Sequence, residues 1–185
     1  MKKFFSNPTV TMVLAVLVVV TSVLINTKVK LGKQCDALSE RFYQVSSEEE
    51  VSIADSLRAL CNASEQLVLL GVKYEVSDTD TAVSTIDEIR NSLRQQSHRT
   101  GELFAQYDQL LKQTFSLESD LARITMSESD TDTCAAAQHA AAEAKAAIDR
   151  SSYNDAVWKF NRRYGRFPTP QLAKLSGVEM PALFA

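Results

Sequence analysis

Tyr153-Asn154-Asp155-Ala156-Val157-Trp158-Lys159-Phe160-Asn161-Arg162-Arg163-Tyr164-Gly165-Arg166-Phe167-Pro168 repeats an aromatic-Asn pair, Tyr153-Asn154 and Phe160-Asn161, at a spacing of seven. Seven residues is two helical turns, so both aromatics face one way and both Asn side chains lie beside them on one seam. Aromatic side chains seal such a seam, and an Asn within it fixes register by hydrogen bonding. The pattern predicts the end of a long apolar-striped helix that stops at Phe167-Pro168, because proline lacks the N–H a helix needs and restricts the residue before it.

Outward from this stretch, little breaks a helix. The 185 residues include five Gly and four Pro, and three of the Pro lie at or beyond Pro168. An all-α protein follows, with long helices packed as an antiparallel up-and-down bundle. From Cys134 to Ile148, nine of fifteen residues are Ala, a strong helix former that lets neighbouring backbones approach closely. Leu103, Phe104, Tyr107, Leu110, Phe115, Leu117 and Leu121 give the clearest three-four pattern of the chain. Ser52-Ile53-Ala54-Asp55 reads as a capping box. The helix it opens is expected to run to about Gln96 with a polar, kinked middle at Ser77–Thr81, a broken pair being the alternative. Thr100 is expected to cap the next helix. Met126–Asp130 reads as an exposed acidic loop, and Ser129-Asp130-Thr131-Asp132 as the start of the last long helix.

The N-terminal part is of another kind. Phe4 to Thr27 is 24 residues without a charge. As a helix they reach about 36 Å, enough for a hydrocarbon core of about 30 Å. Residues 1–33 are expected to be a membrane anchor spanning about 8–27, with lipid contact through residues 4–27. A cleavable signal peptide is the rival, but no A-x-A-like site follows the apolar run. Two Lys precede the span and three follow it closely, which favours a cytoplasmic body, although a Met-Lys-Lys start pulls the other way. Residues 34–168 would form the bundle. Residues 169–185 would be an apolar tail folding back, with Leu172, Leu175, Val178 and Phe184 inward.

Charge excludes some partners. Formal net charge is -3, yet beyond Lys33 the chain holds 15 basic and 23 acidic residues. A nucleic-acid partner would want a basic face, so none is expected. Three Cys (Cys35, Cys61, Cys134) at unrelated spacings read as buried thiols, with a Cys61–Cys134 bridge as the runner-up. His98 and His139 belong to no ligand set, the acidic clusters lack the Gly and terminal Glu of a calcium loop, and neither a phosphate loop nor a nucleophile elbow is present. No cofactor, metal or catalytic residue is expected. Arg162, Arg163 and Arg166, interleaved with aromatics that read as core, form a candidate anion- or partner-binding patch, with a lipid headgroup the leading anion.

Tyr153, Asn154, Ala156, Val157, Phe160, Asn161, Arg166, Phe167 and Pro168 resemble the C-terminal signature of the LemA family of bacterial membrane proteins. Ala173, Val178 and Phe184 suit its tail. The stretch Arg58–Tyr74 is similar to a divergent form of the family's upstream region, without its Pro. The resemblance implies an N-terminal membrane helix, a helical-bundle body on the cytoplasmic side and loose links to envelope proteostasis or, in one branch, to magnetosome membranes. It implies no catalytic residues, so the motif residues are read as structural. The expected function is a non-catalytic scaffold or adaptor for protein–protein interaction at the cell membrane, with homo-oligomers compatible. The alternatives are an accessory subunit of a proteostasis enzyme or a hydrolase, and a secreted helical module released by cleavage.

Overall fold

The computed structural model describes residues 8–44, 51–76, 79–95 and 100–184, with side chains from Thr11 onward. Among these residues the chain is all-α: α1 Pro8–Tyr43, α2 Ile53–Lys73, α3 Thr79–Arg94, α4 Thr100–Leu121, α5 Glu128–Asp149, α6 Tyr153–Tyr164 and α7 Thr169–Ser176. The acidic run Ser46–Glu50, residues 77–78 of the polar break, the turn carrying His98, and Phe4–Asn7 lie outside the described residues.

Helices α2 to α5 make the body. α2 lies at its centre and packs on α3, α4 and α5. Arg90 of α3 reaches back to Glu65 and Asn62 of α2, so α2 and α3 are antiparallel neighbours. Ser64 of α2 and Thr114 of α4 share a buried 2.8 Å hydrogen bond, while Gly71 lies against Leu117, so these two helices run parallel. The C-terminal end of α2 meets the N-terminal end of α5, where Lys73 and Tyr74 both bond Asp130. The core is the seam of inward faces: Leu57, Leu60, Cys61, Ile89, Leu110 and Val157 are almost fully buried. A second cluster at the α2–α5 junction joins Leu67 and Leu70 to Leu121, Cys134 and Ala137. The Ala run supplies the small side chains that let α5 lie close to α2.

The expected continuous helix over 52–96 is a helical hairpin instead. α2 ends in a Schellman motif: Val76 N–H donates to the Gly71 carbonyl at 2.8 Å, and Glu75 N–H to that of Val72 at 3.3 Å. The residue that takes the left-handed conformation there is Glu75, at φ 57°, in place of the usual glycine. Gly71 has another use. A Cβ on it would stand 2.9 Å from Cγ2 of Thr79, so its bare backbone lets the start of α3 fold back onto α2.

The last long helix is also divided. α5 ends at Asp149 and α6 begins at Tyr153. The Ser151 hydroxyl accepts the Tyr153 N–H at 3.3 Å, offering the backbone a partner outside the helical ladder. α5 begins two residues earlier than expected: Ser127 is the cap, and its oxygen accepts the Asp130 N–H. Asp130, read as a loop residue, is therefore at a helix junction with its carboxylate largely covered. Thr100 is the first residue of α4, and its hydroxyl donates to the Ala182 carbonyl at 3.2 Å. Ser52 does cap α2 through the Asp55 N–H, at 3.0 Å.

α1 is one unbroken helix of 36 residues, about 54 Å long. It is the one helix among the described residues long and apolar enough to cross a membrane. From Met12 to Val29 its Val, Leu and Ile side chains are mostly exposed, while Leu31, Leu38 and Phe42 turn into the body. The three cysteines are free, Cys61 and Cys134 buried and Cys35 half-buried. Burial pushes the Cys61 thiol up to about 12.

Candidate functional site: a tail lock and a basic corner

α6 follows α1 in the opposite sense. Its first residue, Tyr153, stacks edge-on against Phe42 with ring centres 5.3 Å apart. One turn and more further, Val157 and Phe160 are buried, and Phe160 shares a cluster with Leu31, Leu38 and Ala173. At its end, Tyr164 lines a groove with Thr169, Leu172 and, on α1, Asn26, Thr27 and Lys30. The helix thus descends along α1 from the core to the edge of the exposed apolar run.

At the upper end of α6, Asn154 holds the C-terminal tail. Its side-chain amide donates to the Phe184 carbonyl at 2.8 Å and accepts the Phe184 N–H at 2.8 Å. This two-bond pairing copies the hydrogen-bonded residue pair of an antiparallel ladder, in which a residue donates its N–H and accepts at its C=O, and an amide side chain can supply both halves. The Tyr153 hydroxyl donates to the Ala182 carbonyl at 3.2 Å, beside Thr100. Thus held, Phe184 puts its ring into the core at 2% exposure. There it meets Phe42 of α1 and Phe104 and Tyr107 of α4 at centroid distances of 5.5, 5.3 and 5.4 Å. One residue of the tail therefore ties α1 and α4 through its ring and α6 through its backbone. Burial is the main reason that the Tyr107 phenol is pushed up to about 12.

The two Asn residues are not equivalent. Asn161 is half-buried and its side chain makes no hydrogen bond among the described residues. Of the remaining motif residues, Tyr153 and Val157 are core, Ala156 is half-buried beside Phe160, and Arg166, Phe167 and Pro168 are exposed. Trp158, expected in the core, is 55% exposed and carries the Arg162 guanidinium 5.4 Å over its ring. Arg163 lies similarly over Tyr164. In the tail, Ala173 is fully buried and Leu172 and Val178 half-buried, but Leu175 points out at 72% exposure. α7, which was not foreseen, explains this: Ala173 faces α1, and Leu175, two residues on, falls on the opposite side.

The lower end of α6 is the basic corner. From Ala156 to Val178 the chain carries five cations (Lys159, Arg162, Arg163, Arg166 and Lys174) and no acidic residue. Lys28, Lys30 and Lys33 of α1 lie at the same level, beside α7 and the segment after it. Phe167 is 82% exposed at this corner. Arg162, Arg163 and Arg166 are all exposed, as a patch requires. Among the described residues no group of three His, Cys, Asp or Glu side chains is arranged to hold a metal ion; His139 has one carboxylate nearby, Glu143, at 3.5 Å.

Compared with family models, with curated proteins and with solved structures, the chain finds no match.

Proposed function

We propose that this chain is a membrane-anchored, non-catalytic scaffold, LemA-like in plan, that holds a helical bundle at a fixed distance from one face of a bilayer. The observation that carries this reading is the continuity of α1. The same helix that exposes an apolar run long enough to cross a membrane buries Leu31, Leu38 and Phe42 in the body. No joint separates the two, so the body is set rigidly against the surface rather than tethered to it. The three Lys after the span favour a cytoplasmic body, and the cations of the corner next to them act in the same direction, towards an anionic inner leaflet.

The polar groups of the core support a scaffold over a hydrolase. Ser64 and Thr114 bond each other, Thr85 bonds the Thr81 carbonyl, and Ser56 that of Ser52. The Cys61 thiol, pushed up to about 12, stays protonated at neutral pH and is a poor nucleophile. Exposed Leu69, Val72 and Phe115 on the body are places where a protein partner would gain apolar contact.

Extraction of membranes with alkaline carbonate tests the anchor, and labelling of a surface thiol tests the side. The full chain is expected in the membrane pellet, and a chain starting at Lys28 in the supernatant. With the three native cysteines replaced, Ser116→Cys on the exposed face of α4 is expected to react with an impermeant maleimide only after lysis. Recovery of the full chain in the supernatant, or a mature N-terminus beyond Asn26, would sink the anchor in favour of a released module. Labelling in intact cells would put the body outside.

A further inference from the structure

We infer that the basic corner is a second membrane contact, in which Phe167 and Leu175 enter the headgroup region of the bilayer that α1 spans while the surrounding Lys and Arg bind anionic lipid. The inference rests on the anchored reading above and adds to it the surface that meets the lipid. Three observations carry it. The first is position. α6 runs antiparallel to α1 from Phe42 downward, and Tyr164, Thr169 and Leu172 share a groove with Asn26, Thr27 and Lys30. Those α1 residues stand at the end of the uncharged run, so the turn after α6 and the whole of α7 come to the level where lipid headgroups begin.

The second is chemistry. A solvated turn has no use for a bare Phe at 82% and a bare Leu at 72% exposure eight residues apart. An aromatic ring and a Leu beside several cations are the composition of an interfacial membrane contact. The exposed Trp158, stacked under Arg162, adds an aromatic of the type that prefers the headgroup level. The third is charge segregation. Outside residues 156–178, the chain beyond Lys33 holds ten basic and 23 acidic residues. Residues 156–178 hold five cations and no acid, flanked by Asp155 and Glu179, and with Lys28, Lys30 and Lys33 beside them the corner stays strongly cationic, while the rest of the chain beyond Lys33 is acidic. Each cation near an anionic surface shifts the docked-to-undocked ratio by about fivefold.

Trp158 is the only Trp, which makes a fluorescence test direct. In a Trp158→Phe background of the full chain, single Trp residues are placed at Phe167, at Leu175, at Leu17 within the apolar run and at Leu69 on the far part of α2. All four sites are exposed, so the substitutions leave packing intact. The proteins are reconstituted in phosphatidylcholine vesicles with and without phosphatidylglycerol and quenched by spin-labelled lipids of graded depth. The expected result is quenching by shallow labels at 167 and 175, by deep labels at 17, and little at 69. Quenching at 167 should rise with phosphatidylglycerol and fall in about 1 M salt, where the Debye length is about 3 Å. Quenching at 17 with 167 no different from 69 overturns the second contact and leaves the anchor standing. Absence of quenching at 17 overturns the anchor itself and this inference with it. Quenching at 167 that ignores both lipid charge and salt overturns the anionic-lipid assignment. A blue shift at 167 without quenching, growing with protein-to-lipid ratio, would give the surface to a second copy of the chain and overturn the lipid reading.

Discussion

Two Asn residues with the same local context do different things, and the reason is what lies opposite them. Asn154 faces the backbone of Phe184, which presents one donor and one acceptor at the spacing of an amide. Replacing it by Ala leaves the part-buried N–H and C=O of Phe184 without their partner, at a cost of about 1–3 kcal/mol. Asn161→Ala loses no such bond and is expected to stay within about 0.5 kcal/mol of the parent. Urea titrations of the two variants measure the difference, and equal losses would show that the seven-residue repeat, not the tail, is what matters. The repeat itself was legible in the sequence. Which Asn is used was not, because the partner lies 30 residues away in a segment that sequence periodicity could place only as inward-facing. Glu75 is the second case at this scale. Its left-handed backbone costs about 1–2 kcal/mol in any residue with a Cβ. Glu75→Gly is therefore expected to raise the melting temperature by a few degrees, consistent with about 1 kcal/mol in a domain of this size. An unchanged or lowered value would mean that the Glu side chain compensates for its backbone.

The same residue explains why helices were easier to read than their ends. The three-four pattern of α4 puts Leu103, Tyr107, Leu110, Leu117 and Leu121 inward because that period follows from helix geometry alone, whereas Phe115, counted in it, falls beside the stripe and is exposed. α7 ends at Gly177, at φ 70°, with Val178 N–H on the Ala173 carbonyl, and a Gly at such a point is an ordinary stop signal. α2 ends in the same motif with Glu75, which gives no signal, so two antiparallel helices read as one. At the opposite face of that junction, Asp130 joins α2 to α5. Its carboxyl is held well below the usual carboxylate range, first by Lys73, then by the Tyr74 and Ser127 hydroxyls. A folded value below the unfolded one means that the carboxylate stabilises the fold above the unfolded pKa of about 3.9, and that this contribution is lost as pH falls through the folded value. Glu65, lowered by Arg90 across the α2–α3 seam, has the same sign. Asp130→Asn should therefore lower stability clearly at pH 7 and progressively less below about pH 4. Denaturation midpoints of parent and variant, followed against pH, should converge on the acid side. Curves that stay parallel would mean that the junction is held by packing rather than by the ionised carboxylate.

For the whole molecule, three side-chain clusters stand in series: Leu31, Leu38, Phe160 and Ala173 around α1, the central core, and the Leu67–Cys134 cluster at the far end of the body. Only the first two contain residues of α1, α6 or the tail. The long apolar helix α1 is thus joined to the body by a junction that Phe184 completes from the tail. This arrangement makes the tail a mechanical part of the α1 attachment, so that removing it should loosen α1 without unfolding α2–α5. A chain ending at Val178 loses the Phe184 ring, whose deletion from a packed core costs about 3–5 kcal/mol, and takes the Phe184 backbone from Asn154 and the Ala182 carbonyl from Tyr153. Hydrogen exchange of the amides from Leu31 to Tyr43 is expected to speed up by roughly a hundredfold or more. Amides of Leu67–Leu70 and Cys134–Ala137 touch neither α1 nor the tail and should keep their protection. Loss of protection through all the helices together would show that body and anchor fold as one unit. No change at Leu31–Tyr43 would leave the α6 and α7 contacts sufficient to hold α1, and the Phe184 lock would then have no part in fixing the body to that helix.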